Sequence, residues 1–328
     1  MIPPRPLSWP LWVVPLVVIV ATWVVATLMV PGFMSVEGVS GILGRSVTVG
    51  IIAAGFTICL ASGQIDLSVG AVFALSGVLF ALLQPTYGAG IAAVVAVGAA
   101  VMAGLLNSLL VNILLVNSFI ASLGTLLLAR GTAFVVSSGQ PVSADTLDAS
   151  LWFNKTFAGP VSPRVMVLLI VTVVLAAFLQ RTRWGRETLA TGGDPAAAVA
   201  IGIPTQRRTT VAFVVCSTCA GIAGVAGALS LMSGSPIVGD AELLAVVGAV
   251  FLGGAALTGG RGSVVASVLA VVGVASVYTA LELARVQRAW QGVLIGSVII
   301  LAASPYLRGL PQRLRRSSIS TTAAQAKE

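Results

Sequence analysis

Few side chains in this sequence could do chemistry, and their neighbours say what each could do. Asp66 stands in Ser62-Gly63-Gln64-Ile65-Asp66-Leu67-Ser68-Val69-Gly70, a break framed by glycines between two apolar runs. There its carboxylate can accept orphan backbone N–H groups of the helix that follows, at the positive end of the helix dipole. A second reading is a pathway group for a solute or a proton, since an ionisable group at membrane depth is a functional candidate by default. The two roles are compatible. Asp240 and Glu242 precede another apolar run, where capping accounts for them.

A second group is strongly basic. Residues 181–208 hold Arg181, Arg183, Arg186, Arg207 and Arg208 around Gly192, Gly193, Asp194, Pro195, Ala196, Ala197, Ala198, Val199, Ala200, Ile201 and Gly202. That stretch reads as a complete miniature helix. Asp194 is an N-cap, Pro195 occupies the first helical position where a missing N–H is harmless, and Gly202 suits a left-handed C-terminal cap. A helix of about two turns does not persist alone in water, because nucleation is costly. It is therefore expected to dock on another protein.

Other chemistries are excluded by composition. Without a histidine there is no Ser-His-Asp triad and no H-E-x-x-H metal helix. The two lysines, Lys155 and Lys327, follow no glycine-rich phosphate loop, so the chain is not expected to hydrolyse ATP itself. Cys216 and Cys219 have C-x-x-C spacing but lie in an apolar run, and with Cys59 they are too few for a four-ligand zinc site. They read as small packing residues. No cofactor or metal is expected.

The elements that must position these groups are membrane helices. The chain of 328 residues is 57% hydrophobic and 9% charged, with mean hydropathy +1.05. Apolar runs approach the roughly 20 residues that cross a bilayer. Ten such spans are expected, at 9–30, 41–62, 67–84, 90–112, 118–137, 164–180, 209–232, 241–257, 263–283 and 289–305. The span from Trp9 reads as a retained anchor. With both termini cytosolic, the inside holds Arg5, the five arginines of 181–208, Arg261 and the basic tail, twelve of 18 basic residues. That follows the positive-inside rule, although Arg285 and Arg288 run against it. The net charge of +8 thus reads as topology and lipid contact, with no nucleic-acid partner expected.

Within the spans, Ser118, Ser122, Thr125 and Thr132 share one helical face. They can mediate helix packing or form a weakly polar pathway. Asn107 and Asn112 need partners, supplied by a neighbouring helix or by a wet pathway. Gly221, Gly224 and Gly227 mark a close helix approach. Gly253-Gly254 reads as a helix end, and Gly259-Gly260-Arg261-Gly262 as a tight turn. Asp66 followed by Gly-Ala-Val-Phe, and Glu242 followed by Gly248-Ala249-Val250-Phe251, hint at an inverted repeat of spans 2–5 and 7–10. The longest outer loop, 138–163, is too small for a binding domain.

Four stretches in order resemble the ribose-type permease subunits of carbohydrate-importing ABC transporters. They are 62–70, Phe119-Ile120-Ala121-Ser122-Leu123-Gly124-Thr125 with Arg130-Gly131, the 192–202 helix, and Gly253-Gly254 through Gly262. Gln64 departs from the glycine usual before Ile-Asp-Leu-Ser, and Asp194 from the common asparagine. The resemblance implies an all-α, polytopic permease of the bacterial inner membrane. It also implies a second permease, identical or related, two ATP-binding subunits and an external sugar-binding protein. It makes 194–201 a coupling helix seated on the ATPase, and Gly63, Gln64, Asp66 and Ser68 the family signature. The expected organisation is one permease domain over 1–328, with the coupling loop at 181–208 and a cytosolic tail at 306–328. The alternative is an ion-coupled secondary transporter using Asp66 or Glu242.

Overall fold

A computed structural model describes residues 10–157 and 159–287, together with Trp290, Val293, Gly296 and Ser297. Apart from those four, the tenth expected span at 289–305 lies outside the described residues, as do the tail at 306–328 and Arg5.

The described residues form eleven helices and one two-stranded ribbon. The first helices are α1 (Val13–Met29), α2 (Val36–Ala61), α3 (Val69–Asn112) and α4 (Ser118–Val136). Next come β1 (Val142–Ser143), α5 (Leu147–Asn154), α6 (Pro163–Arg181), α7 (Arg183–Gly193) and α8 (Pro195–Ala200). The order closes with α9 (Thr205–Leu231), β2 (Ser233–Gly234), α10 (Asp240–Leu252) and α11 (Val264–Leu283). Six of them, α2, α3, α4, α6, α9 and α11, are long and apolar enough to cross a membrane.

The 44-residue α3 is two helices end to end, covering the third and fourth expected spans. Pro85 lacks an N–H and crowds the preceding turn, and Gly88 at φ 79° breaks the helical path. The break falls in the gap between the expected spans 67–84 and 90–112.

Helices α2 and α9 are the centre of the bundle. Within their most apolar windows 72% and 67% of residues are buried, against 22% in α6. The outer helices present Leu28, Val94, Leu127 and Val173 outward, as lipid-facing surfaces do. The α3–α9 seam is tight because α9 places glycines on it. A Cβ at Gly221 would sit 2.6 Å from Ala100 Cβ, and one at Gly224 would strike the Phe73 carbonyl. Cys216 and Cys219 are buried free thiols on the α2 side of α9, where Gly55 makes room for them.

At the end of the bundle opposite α8, β1 pairs antiparallel with β2, Val142 facing Gly234 and Ser143 facing Ser233. Asn154 Nδ2 of α5 donates to the Ser230 carbonyl at 3.2 Å. The 138–163 connection is therefore folded onto the end of α9, an organisation the sequence analysis did not anticipate.

Candidate functional site

The glycine after α2 is what opens the site. Gly63 takes φ +79°, its N–H bonds the Leu60 carbonyl, and the Gln64 N–H bonds the Cys59 carbonyl at 3.2 Å. This double bond pattern ends α2 sharply and turns the chain inward so that Asp66 is fully buried. The residue directly before α3 is Ser68, whose side chain makes no capping bond; the capping contact comes from Asp66, as expected from the sequence. Its carboxylate folds over the helix start, where Oδ1 accepts from Ser68 N at 3.0 Å and Ser68 Oγ at 2.5 Å.

Two distant helices complete its shell. Asn107 Nδ2, on the second half of α3, donates to Asp66 Oδ1 at 3.1 Å and to Ser68 Oγ at 3.1 Å. Ser217 Oγ, on α9, donates to Asp66 Oδ2 at 3.3 Å. Thr125 Oγ1 on α4 then donates to Asn107 Oδ1 at 2.6 Å. The partner that Asn107 requires is thus Asp66. Every hydrogen bond the described residues make to this carboxylate comes from a neutral donor. Such a network satisfies a buried acid without an ion pair and joins three helices at one point.

The seam continues toward α8. Ser108 Oγ lies 2.7 Å from Thr210 Oγ1, and Asn112 Nδ2 donates to Thr210 Oγ1 at 3.0 Å and the Gln206 carbonyl at 3.1 Å. It opens into a cavity of about 330 Å³ lined by Ser62, Gln64, Asn112, Thr205, Gln206 and Thr258 among others. These side chains are all neutral hydrogen-bonding groups. On α4, Ser122 and Thr125 are buried, so this face packs inward; Ser118 Oγ accepts from Ile65 N at 3.3 Å, while Thr132 is exposed.

Three chain breaks meet beside the cavity. A Cβ on Gly192 would strike the Ala61 carbonyl and lie 2.7 Å from both Gly63 N and Gly260 N. Gly259 and Gly260, at φ +80° and +73°, form the expected tight turn, and Gly260 N donates to the Ala61 carbonyl at 3.0 Å. Backbone touches backbone here, which side chains at these positions would prevent.

Helix α8 hangs from this junction, capped at both ends as its sequence implies. Asp194 Oδ1 accepts from Ala197 N at 3.0 Å. Gly202, at φ +81°, donates to the Val199 carbonyl, and Ile203 N donates to the Ala198 carbonyl at 3.0 Å. Ala198 faces inward, while Val199 and Ile201 are exposed at 59% and 76%.

Helix α7, not expected from the sequence, supports α8. Thr182 Oγ1 caps it by accepting from Gly185 N at 3.0 Å. Gly185 is required at the α6–α7 corner, where a Cβ would strike the Phe178 and Leu179 carbonyls. Glu187 bonds Arg183 Nε at 2.6 Å and pairs with the buried Arg208 of α9. Those contacts, the Arg183 bond foremost, hold the Glu187 carboxyl below the usual glutamate range although burial opposes them. Arg208 also stacks 3.6 Å over the Trp184 ring.

Asp240 and Glu242, in the first turn of α10, lie toward the opposite end. Glu242 Oε2 accepts from Gly239 N at 2.8 Å, closing the start of α10, and Asp240 pairs with Arg130 of α4. Ser217 and Thr210 could have been found from sequence, since positions 210, 217, 221 and 224 share one face of a helix.

Six helices long and apolar enough to cross a membrane, packed around a neutral polar seam, suit a transport permease, and the comparisons with known proteins give that class. The chain is a member of the family described as the branched-chain amino acid transport system / permease component, which matches residues 38–303. It is 32% identical over 289 residues to the probable ABC transporter permease protein YphD of Escherichia coli K12, covering 88% of this chain and 86% of that one. It is 31% identical to the L-arabinose transport system permease protein AraH of the same strain, covering 88% of each. The ribose import permease protein RbsC of that strain is also 31% identical, over 85% of this chain and 88% of its own length. No solved structure matches.

Proposed function

We propose that this chain is the permease subunit of an ATP-driven importer that moves a neutral sugar or related polyol across the bacterial inner membrane. The relatives named for L-arabinose and ribose supply the solute class. The seam supports it: hydroxyl and amide groups can hydrogen-bond a polyhydroxylated solute without holding it tightly, whereas an anion would call for arginine clamps.

The observation that carries the ATP-driven reading is α8. A six-residue helix capped at both ends, with Val199 and Ile201 exposed, is built to seat in a groove of another protein. An ion-coupled transporter has no use for it. In this reading 193–202 is the coupling helix, 181–208 the coupling loop and 306–328 a cytosolic tail. Both termini are cytosolic, and 1–328 is one domain of ten spans with spans 2–5 and 7–10 as inverted repeats. Gly63, Gln64, Asp66, Ser68, Asn107, Asn112, Ser118, Ser122 and Thr125 line or brace the pathway. The assembly holds a second permease, ATP-binding subunits that hydrolyse the nucleotide, and an external binding protein that selects the solute.

Reconstitution of the permease with its ATP-binding subunit and binding protein tests this. L-arabinose, D-ribose and other neutral sugars are offered to vesicles containing ATP. Uptake that requires ATP and survives collapse of the proton gradient is expected. Uptake that follows the gradient at constant ATP would transfer the function to an ion-coupled mechanism.

A further inference from the structure

We propose that Arg208, Glu187 and Trp184 form a clamp that makes α7 and α8 one lever rigidly joined to α9, so that force on α8 reaches the Asp66 network. The proposal rests on the reading of α8 as the coupling helix.

Asp194 ends α7 and begins α8: its N–H bonds the Ala190 carbonyl while its side chain caps α8. The two short helices therefore share one residue with no linker between them. Downstream, α8 meets α9 through Gly202 at φ +81° and Pro204, a turn without side-chain hydrogen bonds to α9. The side-chain connection is made by the clamp.

Its chemistry suits transmission. Arg208 is only 7% exposed, and its guanidinium carbon lies 3.6 Å from the centre of the Trp184 ring while the group pairs with Glu187. Its Nε and Nη1 have no hydrogen-bond partner among the described residues. A buried guanidinium with two unmet donors depends on the ring and the carboxylate, so separating α7 from α9 would strand a charge. That penalty makes α7 and Arg208 move together. Arg208 stands nine positions before Ser217 on the same helix, about 14 Å at 1.5 Å per residue. Ser217 is the α9 donor to Asp66. These three residues touch no solute; they position.

The test uses the full-length permease in lipid nanodiscs, alone and bound to its ATP-binding subunit, followed by amide hydrogen exchange. For the permease alone, E187Q, R208M and W184L should raise exchange across 183–200 by tenfold or more. Exchange across 212–231 should stay within twofold of wild type, and W184F, which keeps a ring face, should stay close to wild type. R208M removes the buried charge together with the pair, so it should fold even where E187Q does so poorly. In the complex, a non-hydrolysable ATP analogue should alter exchange in both 195–200 and 209–217 of the wild type. In R208M it should alter only 195–200. Unchanged exchange across 183–200 in both R208M and W184L overturns the clamp. So does a nucleotide response in 209–217 that persists in R208M. A wild-type complex with no nucleotide response at 195–200 instead overturns the coupling reading, and exchange in the permease alone still decides the clamp.

Discussion

Asn107 donates to Asp66 across 41 residues of sequence, and its own carbonyl oxygen is held by Thr125 at 2.6 Å. The amide is thereby fixed in orientation, and it holds the carboxylate against the start of α3 while Ser217 holds it from α9. Asp66 in this setting braces the meeting point of three helices.

That arrangement predicts how Asp66 tolerates substitution. Asp66→Asn keeps an oxygen for Ser68 and Asn107, and its new amide can donate to Ser217 once that hydroxyl turns to accept. Folded yield should remain within twofold of wild type and most uptake should survive. Asp66→Leu strands the Ser68, Asn107 and Ser217 donors at about 1–3 kcal/mol each, so little folded protein should be recovered from membranes. Size-exclusion yield and reconstituted uptake measure both. Loss of uptake by Asp66→Asn at normal yield would give the negative charge a direct part in transport.

Adjacent glycines give a sharper steric contrast. Gly192 is closed in by the Ala61 carbonyl, Gly63 N and Gly260 N, whereas a Cβ on Gly193 would meet only Gly260 Cα at 3.7 Å. Gly192→Ala should destabilise by about 1–3 kcal/mol through overpacking, and Gly193→Ala should be nearly neutral. Thermal midpoints in detergent compare them. Equal behaviour of the two variants would mean that the three-way glycine contact does not hold in the membrane.

Much of this architecture was legible in the sequence because it is local. The glycine that ends α2, the Pro85–Gly88 break in α3 and the two caps of α8 each depend on residues within one turn. The glycine face of α9 was legible from its period, because small residues at that spacing have one use in a helix pair. Partners across the fold were not legible. Ser217 and Asp66 are 151 positions apart, and helical period shows which face a hydroxyl occupies without saying what meets it. Asp66 was legible in part: an acid before an apolar run reads as a cap, and its carboxylate does accept the Ser68 N–H, whereas its Asn107 and Ser217 donors leave no local signal. Helix α7 was hidden by its composition. Its apolar content is slight, and the residues it buries include Glu187, Thr188 and Thr191, on a helix that gains its place by packing against α2, α6 and α9. The two-residue strands β1 and β2 have no period to read.

Acid sensitivity should report the Glu187 contacts. The Arg183 bond, with Arg208 adding to it, depresses the folded-state pKa of this carboxyl. A depressed carboxyl contributes stability above its unfolded value, near 4.3, and that contribution is lost as pH falls through the folded value. The stability gap between wild type and Glu187→Gln should therefore be flat from neutral pH to about 5 and close only in stronger acid. Thermal midpoints of both proteins across pH supply the measurement. A gap that closes between pH 7 and 6 would mean the carboxyl is not held in its charged form by the arginines.

Helix α8 offers the most direct prediction. Ala198 N donates to the Asp194 carbonyl at 3.0 Å, and the Ala198 carbonyl accepts from Ile203 N in the C-terminal cap. Ala198→Pro removes the first bond and crowds the Asp194 carbonyl, at about 3 kcal/mol or more in a helix interior, which exceeds what a six-residue helix can withstand. Asp194→Ala loses only the bond to Ala197 N, about 1 kcal/mol, while Asp194→Asn keeps a cap of equal quality. Because α8 lies outside the six apolar helices, all three variants should insert at wild-type levels. Uptake and copurification with the ATP-binding subunit should be near wild type for Asp194→Asn, reduced severalfold for Asp194→Ala and abolished for Ala198→Pro. Full ATP-driven uptake by Ala198→Pro would remove α8 as the link between nucleotide and pathway.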